Sequence, residues 1–174
     1  MSLHIVIDGY NLIRQSSSFS PLDDKDLEIG REALIDSLAA YKRIKGHRIS
    51  VIFDGINAPS FSQQRDSMKG IDVRFSRAGE QADAVIKRMA LRLREKALVV
   101  TSDKEIAGYA AAKGATAVSS PEFEERMQLA VFMEKKGIEN TVDSQGWEPT
   151  TKKKGPGRKL SRKARRKKKK LHKL

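Results

Sequence analysis

Leu3-His4-Ile5-Val6-Ile7-Asp8-Gly9 is a short apolar, mostly β-branched run that halts at an aspartate and a glycine. It reads as a buried strand followed by a turn. The pattern recurs twice: Ile49-Ser50-Val51-Ile52-Phe53 halts at Asp54-Gly55, and Ala97-Leu98-Val99-Val100 halts at Thr101-Ser102-Asp103. Helical spacing fills the intervals. Leu27, Leu34, Leu38 and Tyr41 set a helix over Asp26 to Ile44, with Gly46 as its stop. Val85, Ile86, Met89, Ala90 and Leu93 share a face within Glu80 to Arg94, and an Ala-rich stretch runs from Lys104 to Lys113 before Gly114. Ser120-Pro121 opens a helix through Phe123, Met127, Val131 and Phe132 to about Lys136. Ile71 to Phe75 and Ala115 to Val118 add two weaker strands. Buried strands alternating with helices predict an α/β fold with a mostly parallel sheet covered on both faces. Such sheets take ligands beyond the carboxyl ends of their strands, which is where the three terminal aspartates project.

The 174 residues have room for one domain with a sizeable core plus an extension. The extension is visible in the charge. Pro149 to Leu174 holds 14 Lys and Arg and no acid, so a net charge of +13 for the chain leaves −1 for residues 1–148. Lys152, Lys153, Lys154, Arg158, Lys159, Arg162, Lys163, Arg165, Arg166, Lys167, Lys168, Lys169, Lys170 and Lys173 form this arm. A block of like charge repels itself and gains free energy mainly by releasing counterions from a polyanion, so RNA, alone or in the ribosome, is the expected partner. The expected organisation is a folded domain over 1–137, a linker over 138–157 and a basic tail over 158–174 that is disordered or loosely helical when free.

With no cysteine, disulfides, thiolate zinc sites and cysteine nucleophiles are excluded. Asp8 interrupts the first apolar run before it could form a signal-peptide core, and no window approaches 18 apolar residues, so a cytoplasmic protein without a membrane partner is expected. His4, His47 and His172 form no ligand spacing, and His4 within a strand reads as packing.

The residues that can carry chemistry are therefore acids. Asp8, Asp54 and Asp103 end strands, while Glu80 and Asp83 stand three apart at a helix start and can face one side of its first turn. Each has an ordinary alternative: Asp103 as a helix cap, Asp8-Gly9 and Asp54-Gly55 as turns, Glu80 as a first-turn acid, Asp83 as a partner of Lys87. Two carboxylates about 6 Å apart at an effective dielectric near 20 repel by roughly 3 kcal/mol, so a converging set calls for a cation or raised pKa values. Mg²⁺ or Mn²⁺ suits such oxygen donors and can support in-line displacement at a phosphodiester. Asp8, Asp83 and Asp103 are the candidate catalytic residues. Asn11, Thr101 and Ser102 add neutral polar groups at the same edge, and Arg77 and Lys104, adjacent in sequence, are candidate phosphate contacts.

Ile7-Asp8-Gly9-Tyr10-Asn11-Leu12-Ile13, Phe53-Asp54-Gly55, Phe75-Ser76-Arg77-Ala78-Gly79-Glu80-Gln81-Ala82-Asp83 and Val100-Thr101-Ser102-Asp103 together resemble the signature blocks of the YacP-like NYN nucleases. The resemblance runs in order over roughly residues 3–135 and leaves the basic extension outside it. It implies a PIN-like three-layer α/β/α fold, divalent-metal endoribonuclease activity, and an acidic site of Asp8, Asp54, Glu80, Asp83 and Asp103 with Asn11 beside it.

Other functions fit less well. An aspartyl-nucleophile phosphohydrolase lacks the second aspartate two residues after Asp8, and a dinucleotide-binding domain lacks Gly-x-Gly-x-x-Gly after a strand. A flap-type DNA nuclease would need an added segment to channel a DNA arm, which the sequence does not supply. The competing class is a non-catalytic RNA- or ribosome-binding protein that works through its tail.

Overall fold

A computed structural model of the chain describes residues 2–55, 65–77, 79–137 and 161–174, apart from the side chains of Arg65 and Lys163. The strands are β1 (His4–Asp8), β2 (Arg48–Phe53), β3 (Arg65–Met68), β4 (Ile71–Phe75), β5 (Ala97–Val100) and β6 (Thr116–Val118). The helices are α1 (Gly9–Gln15), α2 (Ser20–Asp23), α3 (Leu27–Lys45), α4 (Ala82–Leu93), α5 (Lys104–Ala112), α6 (Ser120–Lys135) and α7 (Arg162–Leu171). The sheet order is β3-β4-β2-β1-β5-β6, and every pairing is parallel except β3 with β4.

β1 is the centre of this arrangement. Ile5, Val6 and Ile7 are fully buried, each contributing about 1.5–3 kcal/mol relative to an exposed side chain. The pleat sends Ile5 and Ile7 into a core with Leu34, Leu38, Tyr41 and Phe123 of α3 and α6, and Val6 into a second core with Val85, Ile86 and Ile106 of α4 and α5. Helices thus cover both faces, giving the expected three layers. The chain leaves β1 toward β2 on one side, while β5 pairs on the other, so the sheet's topological switch point lies at the carboxyl ends of β1 and β5.

Three local expectations are corrected. Asp8-Gly9 is not a turn: Asp8 caps α1 by accepting from Asn11 N, and the chain passes directly from strand to helix. Gly9 is required there because a Cβ would stand 2.3 Å from the Phe53 ring. β3 was not anticipated, because Arg65-Asp66-Ser67-Met68 has no alternation of apolar residues; it is an edge strand paired through the Lys69-Gly70 turn, both residues of which have positive φ. The tail differs most. Its described part is the helix α7, helical as one of the two expected forms but docked instead of loose: Leu174 is 5% exposed within the core that includes Tyr41 and Phe123. The Tyr41 hydroxyl donates to Leu174 O, Arg126 to Leu171 O and the Lys170 ammonium to Ala97 O, while Arg166 pairs with Glu95. These contacts fix the helix, whereas charge counting considers only its repulsion. Lys152, Lys153, Lys154, Arg158 and Lys159 lie outside the described residues, as does the whole of the expected linker.

Among the described residues, no helix is long and apolar enough to cross a membrane.

Candidate active site at the carboxyl edge of the sheet

Asp8 sits at the switch point with both carboxylate oxygens engaged. Oδ1 accepts from Asn11 N at 3.3 Å and Oδ2 from the Thr101 hydroxyl at 3.3 Å. Burial pushes its carboxyl up to about 6 against these two hydrogen bonds, and the nearby charges of Asp83 and Asp54 push the same way. Asp83, in the first turn of α4, is also raised, first by burial and then by the charge of Asp103, with Asp54 adding and Lys87 opposing. Asp54 therefore acts on both Asp8 and Asp83, and Asp103 on Asp83.

The other two are tied to helix starts. Asp54 Oδ1 accepts from Ala82 N at 2.7 Å, joining the end of β2 to the first residue of α4. Asp103 caps α5, its Oδ1 accepting from Glu105 N at 2.6 Å and Ile106 N at 3.1 Å. The positive ends of three helices thus face the cluster, which moderates the repulsion among its carboxylates. The ordinary reading of Asp8 and Asp103 as helix caps and their reading as site residues describe the same geometry.

Glu80 lies apart from this set. Its carboxylate pairs with Arg88, whose hydrogen bond holds it below the usual range, and it is not among the charges acting on Asp8 or Asp83. Asn11 is near the cluster but its oxygen is taken: it accepts from Ser102 N at 2.9 Å, the Ser120 hydroxyl at 2.7 Å and the Gln15 amide at 3.1 Å. It ties α1 to the turn after β5 and to α6. Thr101 Oγ1 accepts from Asp103 N at 3.1 Å while donating to Asp8, linking the two aspartates, and Ser102 Oγ accepts from Ser120 N at 3.1 Å. Arg77 and Lys104 are exposed. His4 bonds to Ser50 Oγ at 2.8 Å inside the sheet, as packing requires.

The sequence reading passed over Ser120 as a site residue and noted Lys87 only as a partner for Asp83. Lys87 pairs with Glu105 and adds its charge to Asp83 from four residues along α4. The helical spacing could have revealed Lys87. Ser120 had no signal beyond its position before Pro121, because its link to Asn11 spans 109 residues.

Among the described residues, no group of three or more acids and histidines is set closely enough to enclose a metal ion. The donor set is nevertheless one a hard divalent cation prefers, being carboxylate oxygens with hydroxyls beside them. Asp54 and Asp103 use only Oδ1 in the bonds described, which leaves Oδ2 of each for a ligand.

The fold and this edge define an α/β domain with a cluster of aspartates at its switch point. The chain belongs to the YacP-like NYN domain family, which it matches over residues 5–173. The match extends beyond the boundary expected from the signature blocks, so the basic helix lies inside the family pattern. The chain is 29% identical over 102 residues to the uncharacterized protein YacP of Bacillus subtilis (strain 168), a stretch covering 57% of this chain and 59% of that relative. It therefore spans less than two thirds of that relative's length. The crystal structure of Rae1 (YacP) from Bacillus subtilis superposes with a TM-score of 0.66 at 25% identity, covering 79% of this chain and 80% of the other. A crystal structure of a variant of the same protein gives a TM-score of 0.63 at 25% identity, covering 76% and 79%.

Proposed function

We propose that this protein is a divalent-metal-dependent endoribonuclease, with Asp8, Asp54, Asp83 and Asp103 as its acidic site and RNA, free or within the ribosome, as its partner. The observation that carries this reading is the buried Asp8 carboxyl, pushed up to about 6 beside other aspartates at the switch point of a family member's sheet. A cluster of carboxylates whose repulsion the helix ends only moderate is suited to a cation. Mg²⁺ or Mn²⁺, when bound, would supply a polarised water and neutralise charge on the phosphodiester. Asp8, Asp83 and the free oxygens of Asp54 and Asp103 would hold it; Glu80 would join only after leaving Arg88.

The chain's own residues account for the orientation. Thr101 holds the Asp8 carboxylate by one oxygen, and the backbone of α5 holds Asp103, so neither needs to reorganise on binding. Arg77 and Lys104, both exposed, are the nearest cations in sequence that could meet phosphates flanking the scissile bond. The basic residues from Lys152 onward, those of α7 packed on the domain among them, increase affinity for the RNA backbone.

The test is cleavage of single-stranded RNA with Mg²⁺, with Mn²⁺ and with a chelator. Cleavage by the native chain with either metal, lost in a folded Asp8→Asn variant, supports the reading. RNA binding without cleavage in any of these conditions identifies a binding protein instead.

A further inference from the structure

α7 does not lie flat on the domain. Between it and the amino edge of the sheet is a groove of about 870 Å³, reached from the segments preceding β1, β5 and β6. Its domain wall includes the apolar Leu3, Ala112, Ala115 and Ala117, with Glu95 and Lys96 beside them. Its opposite wall is α7 and the turn after it: Arg162, Arg166 and Lys169 line the groove from the helix and Lys173 from just past its end. These residues recur at three- and four-residue intervals, so they form one ridge with a cation per turn, spaced about 5.4 Å apart. The groove is separated from the aspartates by the length of β1, about 15 Å, and shares no residue with them.

We propose that this groove is a second seat for single-stranded RNA, with a base against the alanine wall and successive phosphates along the Arg162–Lys173 ridge. The proposal deepens the nuclease reading, since it rests on RNA being the partner and names where a strand is held away from the cleavage edge. An apolar wall facing a line of cations matches a nucleotide, which has a flat apolar base and an anionic backbone. Repetition over about three turns favours a polymer over a single phosphate. Within the ridge Arg166 has only an exposed acid, Glu95, as an opposing charge in the contacts described. Burial also lowers the pKa of the neighbouring Lys170, so a bound anion would restore what the groove takes from its ammonium.

The test uses the full chain in chelator, where no cleavage occurs, and follows the anisotropy of a short labelled oligouridylate. Ala112→Glu places a charge on the alanine wall at an exposed helix end, and Lys169→Glu reverses one cation of the ridge. Each is expected to weaken binding by about tenfold or more, while Lys25→Glu, an equal change of charge outside the groove, stays within about threefold. Cross-linking of thiouridine-substituted RNA to the native chain, mapped to peptides 111–117 and 162–173 together, is the second readout and does not depend on any variant's folding. If Ala112→Glu binds like the native chain, or cross-links fall only elsewhere, the groove is not the seat. If polyglutamate displaces the RNA with equal potency and the same sensitivity to both variants, the occupant is an acidic protein and the proposal fails. Failure of the nuclease reading is distinguishable: a chain that cleaves nothing with metal but loses binding in both variants keeps the groove and loses the activity.

Discussion

The two edges of the sheet solve opposite electrostatic problems. At the carboxyl edge, like-charged aspartates are drawn together and held by backbone N–H groups at the starts of α1, α4 and α5. At the amino edge, like-charged cations are strung along α7 and kept in place by Leu174 and a few hydrogen bonds to backbone oxygens. The first edge stores repulsion inside a rigid frame, and burial of Asp8 makes that repulsion costly. The second leaves its cations mostly in water, where repulsion is screened and polyanions can reach them. A pocket for an ion needs the first arrangement, and a surface for a polymer needs the second.

Four experiments sharpen or break this comparison. The largest effect is expected at the basic edge. If about ten phosphates are engaged, RNA affinity falls by roughly four decades between about 50 and 200 mM salt. Replacing Arg165, Lys168 and Lys169 with Gln should flatten the slope of log affinity against log salt by about 0.7 per lost contact. A native affinity that ignores salt would remove the basic edge from RNA binding. These substitutions are preferable to cutting the chain after Glu148, because truncation would also remove Leu174 from the core.

At the acidic edge, Asp8→Asn or Asp103→Asn is expected to lower metal-dependent cleavage by about a thousandfold. Asparagine caps helices nearly as well as aspartate, so circular dichroism should remain native. Full activity in both variants would mean that the aspartates serve only as caps.

The third effect is on stability without metal. The Asp8 carboxyl is at about 6 when folded, above its usual 3.8. The folded state therefore retains a proton that the unfolded state releases, and Asp8 costs stability as pH rises from about 4 through 6, with a constant penalty above. Asp8→Asn should be more stable than the native chain at pH 8 by up to about 3 kcal/mol, with the difference vanishing near pH 4. Denaturation in chelator across that range measures it; a difference independent of pH would show that Asp8 is not buried in its charged form.

The smallest effect belongs to the anchor of α7. Leu174→Ala should lower stability by about 2 kcal/mol. It should also raise the amide exchange of residues 162–171, because among the described residues Leu171 and Leu174 are what joins this helix to the apolar core. Unchanged exchange would mean that the hydrogen bonds from Tyr41, Arg126 and Lys170 suffice.

By itself the sequence determined the layered α/β architecture, five of the six strands and the edge where Asp8, Asp54, Asp83 and Asp103 meet. Those features follow from local period and from residues at element ends, where φ, ψ and burial are set by near neighbours. The blocks around Asp8, Asp54, Glu80 and Asp103 were legible for the same reason, and so was the charge of the tail. Only the tertiary structure decided that Glu80 turns to Arg88, that Asn11 spends its oxygen on Ser102 and Ser120, and that the basic arm folds into a helix against the amino edge. Each of these depends on a partner far along the chain or on a competition between two partners, as with Leu174 reaching Tyr41 across 133 residues. Periodicity carries no record of such pairings, because the free energy that selects them arises only when the packed elements bring the two groups together.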